Sequence, residues 1–161
     1  MIKLFSVLLF LSVFFLMLYS KEDSLSVKKD MQTLSFTKIN GTLIVTDGEK
    51  SCLLEKDAIA YETYVSPDTQ MIAVEVQLLS NLQIIRMYKK NSAGCYKPFK
   101  NPLSTKLWGT LSEKKGFSID DVLHPRMQFL KWVDNNQILI KISGDLGDKS
   151  IDKKLSYALE E

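Results

Sequence analysis

The chain predicts a mostly β fold: a small antiparallel, sandwich-like domain of hairpins with one short helix, preceded by an N-terminal hydrophobic helix. Three observations predict it. An apolar run closes within the first twenty residues, an Asn-Gly turn joins two strand-like segments, and several later segments alternate with period two.

The N-terminal element is MIKLFSVLLFLSVFFLMLYS, with Lys3 its one charged side chain and only two serines interrupting the apolar run from Leu4 to Tyr19. As a helix this run is roughly 24 Å long, short of the ~30 Å hydrocarbon core. It is therefore either a cleaved export signal ending at Ser20 or a retained signal anchor. Lys3 precedes it, and Lys21, Glu22 and Asp23 follow. That charge order keeps the N-terminus cytoplasmic and exports the body. The expected organisation is residues 1–20 as signal or anchor and 21–161 as one exported β-domain. The body is periplasmic or secreted if cut near Ser20, and membrane-anchored otherwise.

The body then reads as hairpins. Leu34–Ile39 and Thr42–Val45 flank Asn40-Gly41, the pair that tolerates the two positive φ values of a type I′ turn. Asp47-Gly48 marks the next reversal. Ala58–Val65 is rich in β-branched and aromatic residues and ends at Ser66-Pro67-Asp68, where Pro67 pre-sets a turn. In Gln70–Leu78 the residues Ile72, Val74, Val76 and Leu78 share one face, with Ala73, Glu75 and Gln77 on the other. Ser80-Asn81 turns the chain into Leu82–Tyr88. Asn91–Ser104, with Gly94, Pro98 and Pro102, reads as a long connection. The short helix is expected at Ser118–His124, with Ser118 as N-cap, Asp120 and Asp121 in the first turn, and Pro125 ending it. Met127–Val133 and Gln137–Ser143 flank Asp134-Asn135-Asn136. A loop at Gly144–Asp148 precedes a last strand at Ile151–Leu159.

One stretch resembles a known repeat. Val65-Ser66-Pro67-Asp68-Thr69-Gln70-Met71-Ile72-Ala73-Val74 is similar to the S-P-D-G turn and strand of TolB-type, WD40-like β-propeller repeats, with Thr69 at the glycine position. The likeness runs from Val65 to Tyr88, and Phe129–Leu139 is similar to the second half of such a motif. The resemblance implies blade-like antiparallel hairpins and tilts the reading toward a binding scaffold. It assigns no functional residue, because the motif is structural.

Charge and chemistry exclude much. The chain has 21 Lys+Arg and 19 Asp+Glu, and setting Lys3 aside leaves the body within one charge of neutral. The pairs Lys28-Lys29, Lys89-Lys90, Lys114-Lys115 and Lys153-Lys154 lie scattered among acids and read as solvated strand ends and turns. Nucleic acid is not an expected partner. The one histidine, His124, sits beside Pro125 and reads as a capping or surface residue. No nucleophile elbow, zincin, P-loop or C-x-x-C motif occurs. Neither a catalytic residue, a metal site nor a cofactor is expected, so the protein reads as no enzyme.

Cys52 and Cys95 are the candidates for a disulfide in an oxidising compartment, against two buried free thiols. Tyr64 and Trp108 are the aromatics that a β core explains least, and are the candidate partner contacts. The function expected is an exported, non-enzymatic protein-binding domain, such as an immunity or inhibitor protein acting on a toxin or hydrolase in the cell envelope. The alternative is a membrane-anchored structural or accessory envelope protein.

Overall fold

The computed structural model describes residues 34–159. The expected N-terminal helix and the cleavage point after Ser20 lie outside the described residues. Ten strands and one α-helix follow in order: β1 (Ser35–Ile39), β2 (Thr42–Asp47), β3 (Lys50–Glu55), β4 (Ala60–Val65), β5 (Met71–Leu79), β6 (Leu82–Lys90), β7 (Tyr96–Pro98), α1 (Leu103–Lys115), β8 (Leu123–Trp132), β9 (Gln137–Leu146) and β10 (Lys149–Ala158). Among the described residues no helix is long and apolar enough to cross a membrane.

The strands form two sheets. The small one is antiparallel, in the order β1-β2-β3. The large one runs β10-β9-β8-β6-β5-β4, with β7 paired to the end of β6, and it curls into a half-barrel. All its ladders are antiparallel except one. Where β8 meets β6 the pairing is parallel and consists of Gln83 opposite Arg126. The large sheet therefore has two antiparallel halves, β4–β7 and β8–β10, with very little backbone pairing between them.

Two cores compensate. In the first, Leu103, Leu107, Trp108 and Leu111 of α1 lie against Ala73, Ile85 and Met87 from one half and Met127, Phe129, Ile138, Ile140 and Ile142 from the other. Leucines at i, i+4 and i+8 make a helical stripe, so a single helix face bridges both halves. In the second, Leu43, Val45, Cys52 and Leu54 of the small sheet meet Tyr61, Ile72, Val74, Val76, Tyr88 and Tyr96 of the large one. Strand β5 is buried on both faces from Met71 to Val76. Its alternation thus separates one core from the other, rather than core from solvent.

The turn chemistry follows the sequence. Asn40 (φ 47°) and Gly41 (φ 71°) are both left-handed, as a type I′ hairpin requires. At Ser66-Pro67-Asp68, the Ser66 hydroxyl donates to Asp68 (2.7 Å) and accepts from the Met71 N–H (2.9 Å), while Asp68 accepts from the Gln70 N–H (3.0 Å). Thr69 stands at φ 60°, a conformation that disfavours a β-branched residue and that glycine adopts without strain. The Tyr96 hydroxyl donates to the Thr69 carbonyl (2.7 Å) and holds that turn in place.

The helix is where the expectation needs correction. Ser118–His124 contributes only a 3-10 turn at Ile119–Asp121, after which Leu123 already belongs to β8. The expected capping is real: the Asp120 N–H bonds the Ser118 hydroxyl, and the Ser118 N–H bonds Asp121. A capped start followed seven residues on by Pro125 leaves no length for a lasting α-helix. The helix instead occupies residues 103–115, partly inside the expected connection. It starts at Pro102 without a side-chain cap and ends at Gly116 (φ 67°), whose N–H bonds the Ser112 carbonyl. Strands β3 and β7 were likewise hidden within turns and connections.

Candidate functional site

A concavity of about 570 Å³ lies between the end of β3, the β6–β7 hairpin and the start of α1. Its walls are largely apolar: Leu53, Ile84, Met87, Phe99, Pro102 and Leu103. Its polar floor comes from a local irregularity. The β2–β3 register slips, so Leu43 faces Glu55 while Ile44 faces Leu53. The bulge breaks the alternation of β3 and turns both Leu54 and Glu55 inward. Glu55 is left 4% exposed in an otherwise apolar setting.

A buried carboxylate needs partners, and β6 supplies them on alternate positions. Arg86 Nη1 lies 2.5 Å from Glu55 Oε2, and the Tyr88 hydroxyl donates to Glu55 Oε1. Burial and the adjoining carboxylate push the Tyr88 phenol well above its ordinary value, so it remains a neutral donor. The hydrogen bond to Glu55 raises Arg86 as well, and the Arg86 side chain lines the groove with 41% of its surface exposed. One fixed ion pair therefore presents a cationic edge within apolar walls.

The Cys52–Cys95 disulfide is present, with Cα atoms 5.8 Å apart. It ties β3, one residue before Leu53 of the groove wall, to the residue just before β7. Beyond Pro98, the β6–β7 hairpin gathers Lys89, Lys90, Lys97 and Lys100 around a second depression of about 510 Å³. Lys90 is paired with Asp47. The Lys89-Lys90 pair is thus no isolated strand end, because Lys97 of the three-residue return strand and Lys100 just beyond it lie around the same depression.

Neither aromatic singled out in the sequence lines this groove. Trp108 is 5% exposed in the first core. Tyr64 is half-buried and stacks on Phe129 at 4.4 Å. Its hydroxyl donates to Glu62 (2.6 Å) and lies 3.5 Å from Glu75. Glu75 also accepts from Gln83 (2.5 Å) and from the Phe129 N–H. Burial raises the Glu75 carboxyl above its ordinary range. This cluster ties β5 to β8 where strand pairing between the halves nearly lapses, and the cleft beside it holds only about 50 Å³.

His124 is exposed, with Nδ1 3.2 Å from Asp145, and Asp120 and Asp121 serve the 3-10 turn. Among the described residues no three acidic, histidine or cysteine side chains converge as metal ligands. Sequence reading missed Glu55 and Arg86. The available signal was an acid and a base each embedded in an apolar strand, Leu53-Leu54-Glu55 and Ile84-Ile85-Arg86-Met87. The chain matches no family model, and neither a curated protein nor a solved structure was found to match it.

Proposed function

We propose that the chain is an exported, non-enzymatic protein-binding domain that receives its partner in the groove between β3, β7 and the start of α1. The observation that carries this is the groove itself: apolar walls, a buried Glu55 holding a half-exposed Arg86, and a disulfide tying β3 to the start of β7. Apolar surface supplies affinity, and a few fixed polar groups supply orientation. Glu55 is tied to both Arg86 and Tyr88, which suits a structural anion better than a group that must exchange protons. An immunity- or inhibitor-type role in the envelope belongs to this reading.

The test is site-specific photocrosslinking in the native host. A photoreactive residue at Leu53 or Phe99 is expected to yield one discrete adduct, whose partner, once identified and purified, rebinds the protein. The control position is Asp134, exposed in the β8–β9 turn. Equal, diffuse labelling from Leu53, Phe99 and Asp134 would overturn the proposal.

A further inference from the structure

Resting on that reading of the groove, we infer that the partner's docking segment is an extended strand carrying acidic and apolar residues, added to the free edge of β3. Strand β3 pairs with β2 on one side and with no strand on the other among the described residues. Four consecutive residues at its end, Leu53 to Lys56, form one wall of the groove. A strand edge beside an apolar cleft is the arrangement that accepts an added strand: backbone bonds give register, and alternate side chains enter the cleft. Leu53, 57% exposed on that edge, is the apolar contact left waiting.

Charge complementarity fixes the partner's chemistry. Lys56 and Arg86 line the groove, and Lys89, Lys90, Lys97 and Lys100 surround the depression that shares Pro98 with it. Of the acids beside these cations, Glu55 and Asp47 are each already paired, with Arg86 and Lys90, and Glu49 lies at the next depression along. The chain as a whole carries only two more cations than acids, so this concentration is local to the groove and its rim. A basic segment would meet like charge here, and a purely apolar one would leave the rim unanswered.

The experiment uses the full chain in mild detergent and a labelled short peptide alternating glutamate with leucine. Three further probes are its lysine-for-glutamate counterpart, a backbone N-methylated version and anionic phospholipid vesicles. The acidic peptide is expected to bind saturably and more weakly as salt rises. Lys97→Glu combined with Lys100→Glu should weaken it roughly tenfold, N-methylation should abolish binding, and hydrogen exchange should slow at Leu53–Lys56. Equal binding of the lysine peptide, an unchanged affinity in the charge-reversed variant, or binding of vesicles but no peptide would each overturn the inference. If the Leu53 photocrosslink captures a partner through a neutral or basic segment, the groove stands and the acidic strand falls; absence of any groove adduct removes both.

Discussion

Breaking the Cys52–Cys95 bridge should cost about 4 kcal/mol, and the structure says where. The two cysteines are 43 residues apart, and a closed loop of that size removes about 4 kcal/mol of freedom from the unfolded chain. Little in the folded state would replace it. Strands β3 and β7 approach one another without sharing a ladder, so the bridge is the direct tie between the flanks of the groove. The full chain in detergent should be unfolded in urea with and without reductant, because reduction avoids the packing change that substituting the buried Cys52 would add. For a domain of this size the loss corresponds to roughly 15 °C in Tm. The urea dependence should also steepen on reduction, since an uncrosslinked unfolded chain exposes more surface. Hydrogen exchange should accelerate first at Leu53–Lys56 and Tyr96–Phe99, before β9 and β10 respond. A stability change below about 1 kcal/mol would refute the reasoning, and so would loss of protection that begins in β9 and β10.

Two further outcomes follow from buried acids. Arg86→Met should cost about 2 kcal/mol, between the values for exposed and buried pairs because Arg86 is partly open while Glu55 is not, and adding Glu55→Gln should recover more than half of it; urea midpoints check this, and additive losses would show that no buried charge had been stranded. Burial holds the native Glu75 carboxyl above its ordinary value of 4.5, so the folded state keeps that proton more tightly than the unfolded chain. Wild-type stability should therefore fall as pH rises from 4.5 through the raised native value and then level off. Glu75→Gln should remove that fall, and parallel pH curves for the two proteins would sink the account.

Much of the β architecture was legible because its signals are local. Asn40-Gly41 can take two positive φ values, and 72–78 alternates with the strand period, so turn and strand were fixed by neighbouring residues. The helix was not legible for the complementary reason. It begins at a proline without a cap, contains Gly109, and relies on packing Leu103, Leu107 and Leu111 against both halves of the sheet. Ser118 carried a proper cap, yet capping cannot outweigh a proline seven residues away. The disulfide was foreseeable from the even number of cysteines together with the export expected of the N-terminal segment. Glu55 was not, because its inward direction depends on the register slip between β2 and β3, a property of the pair of strands.

The same register slip links the fold to the groove. Without it Glu55 would follow the alternation of β3 to the exposed side, and Arg86 and Tyr88 would face an apolar floor with no anion to hold them. With it, Glu55 fixes Arg86, the disulfide fixes β3 against β7, and Pro102 fixes where α1 begins at the groove's far wall. Three constraints of different chemistry, ionic, covalent and conformational, thus act on three different walls. A cleft held in this way loses little freedom when filled, so more of its apolar contact and charge attraction reaches the binding free energy. Such rigidity costs stability at Glu55, a carboxylate taken out of water, and its bonds to Arg86 and Tyr88 offset part of that cost.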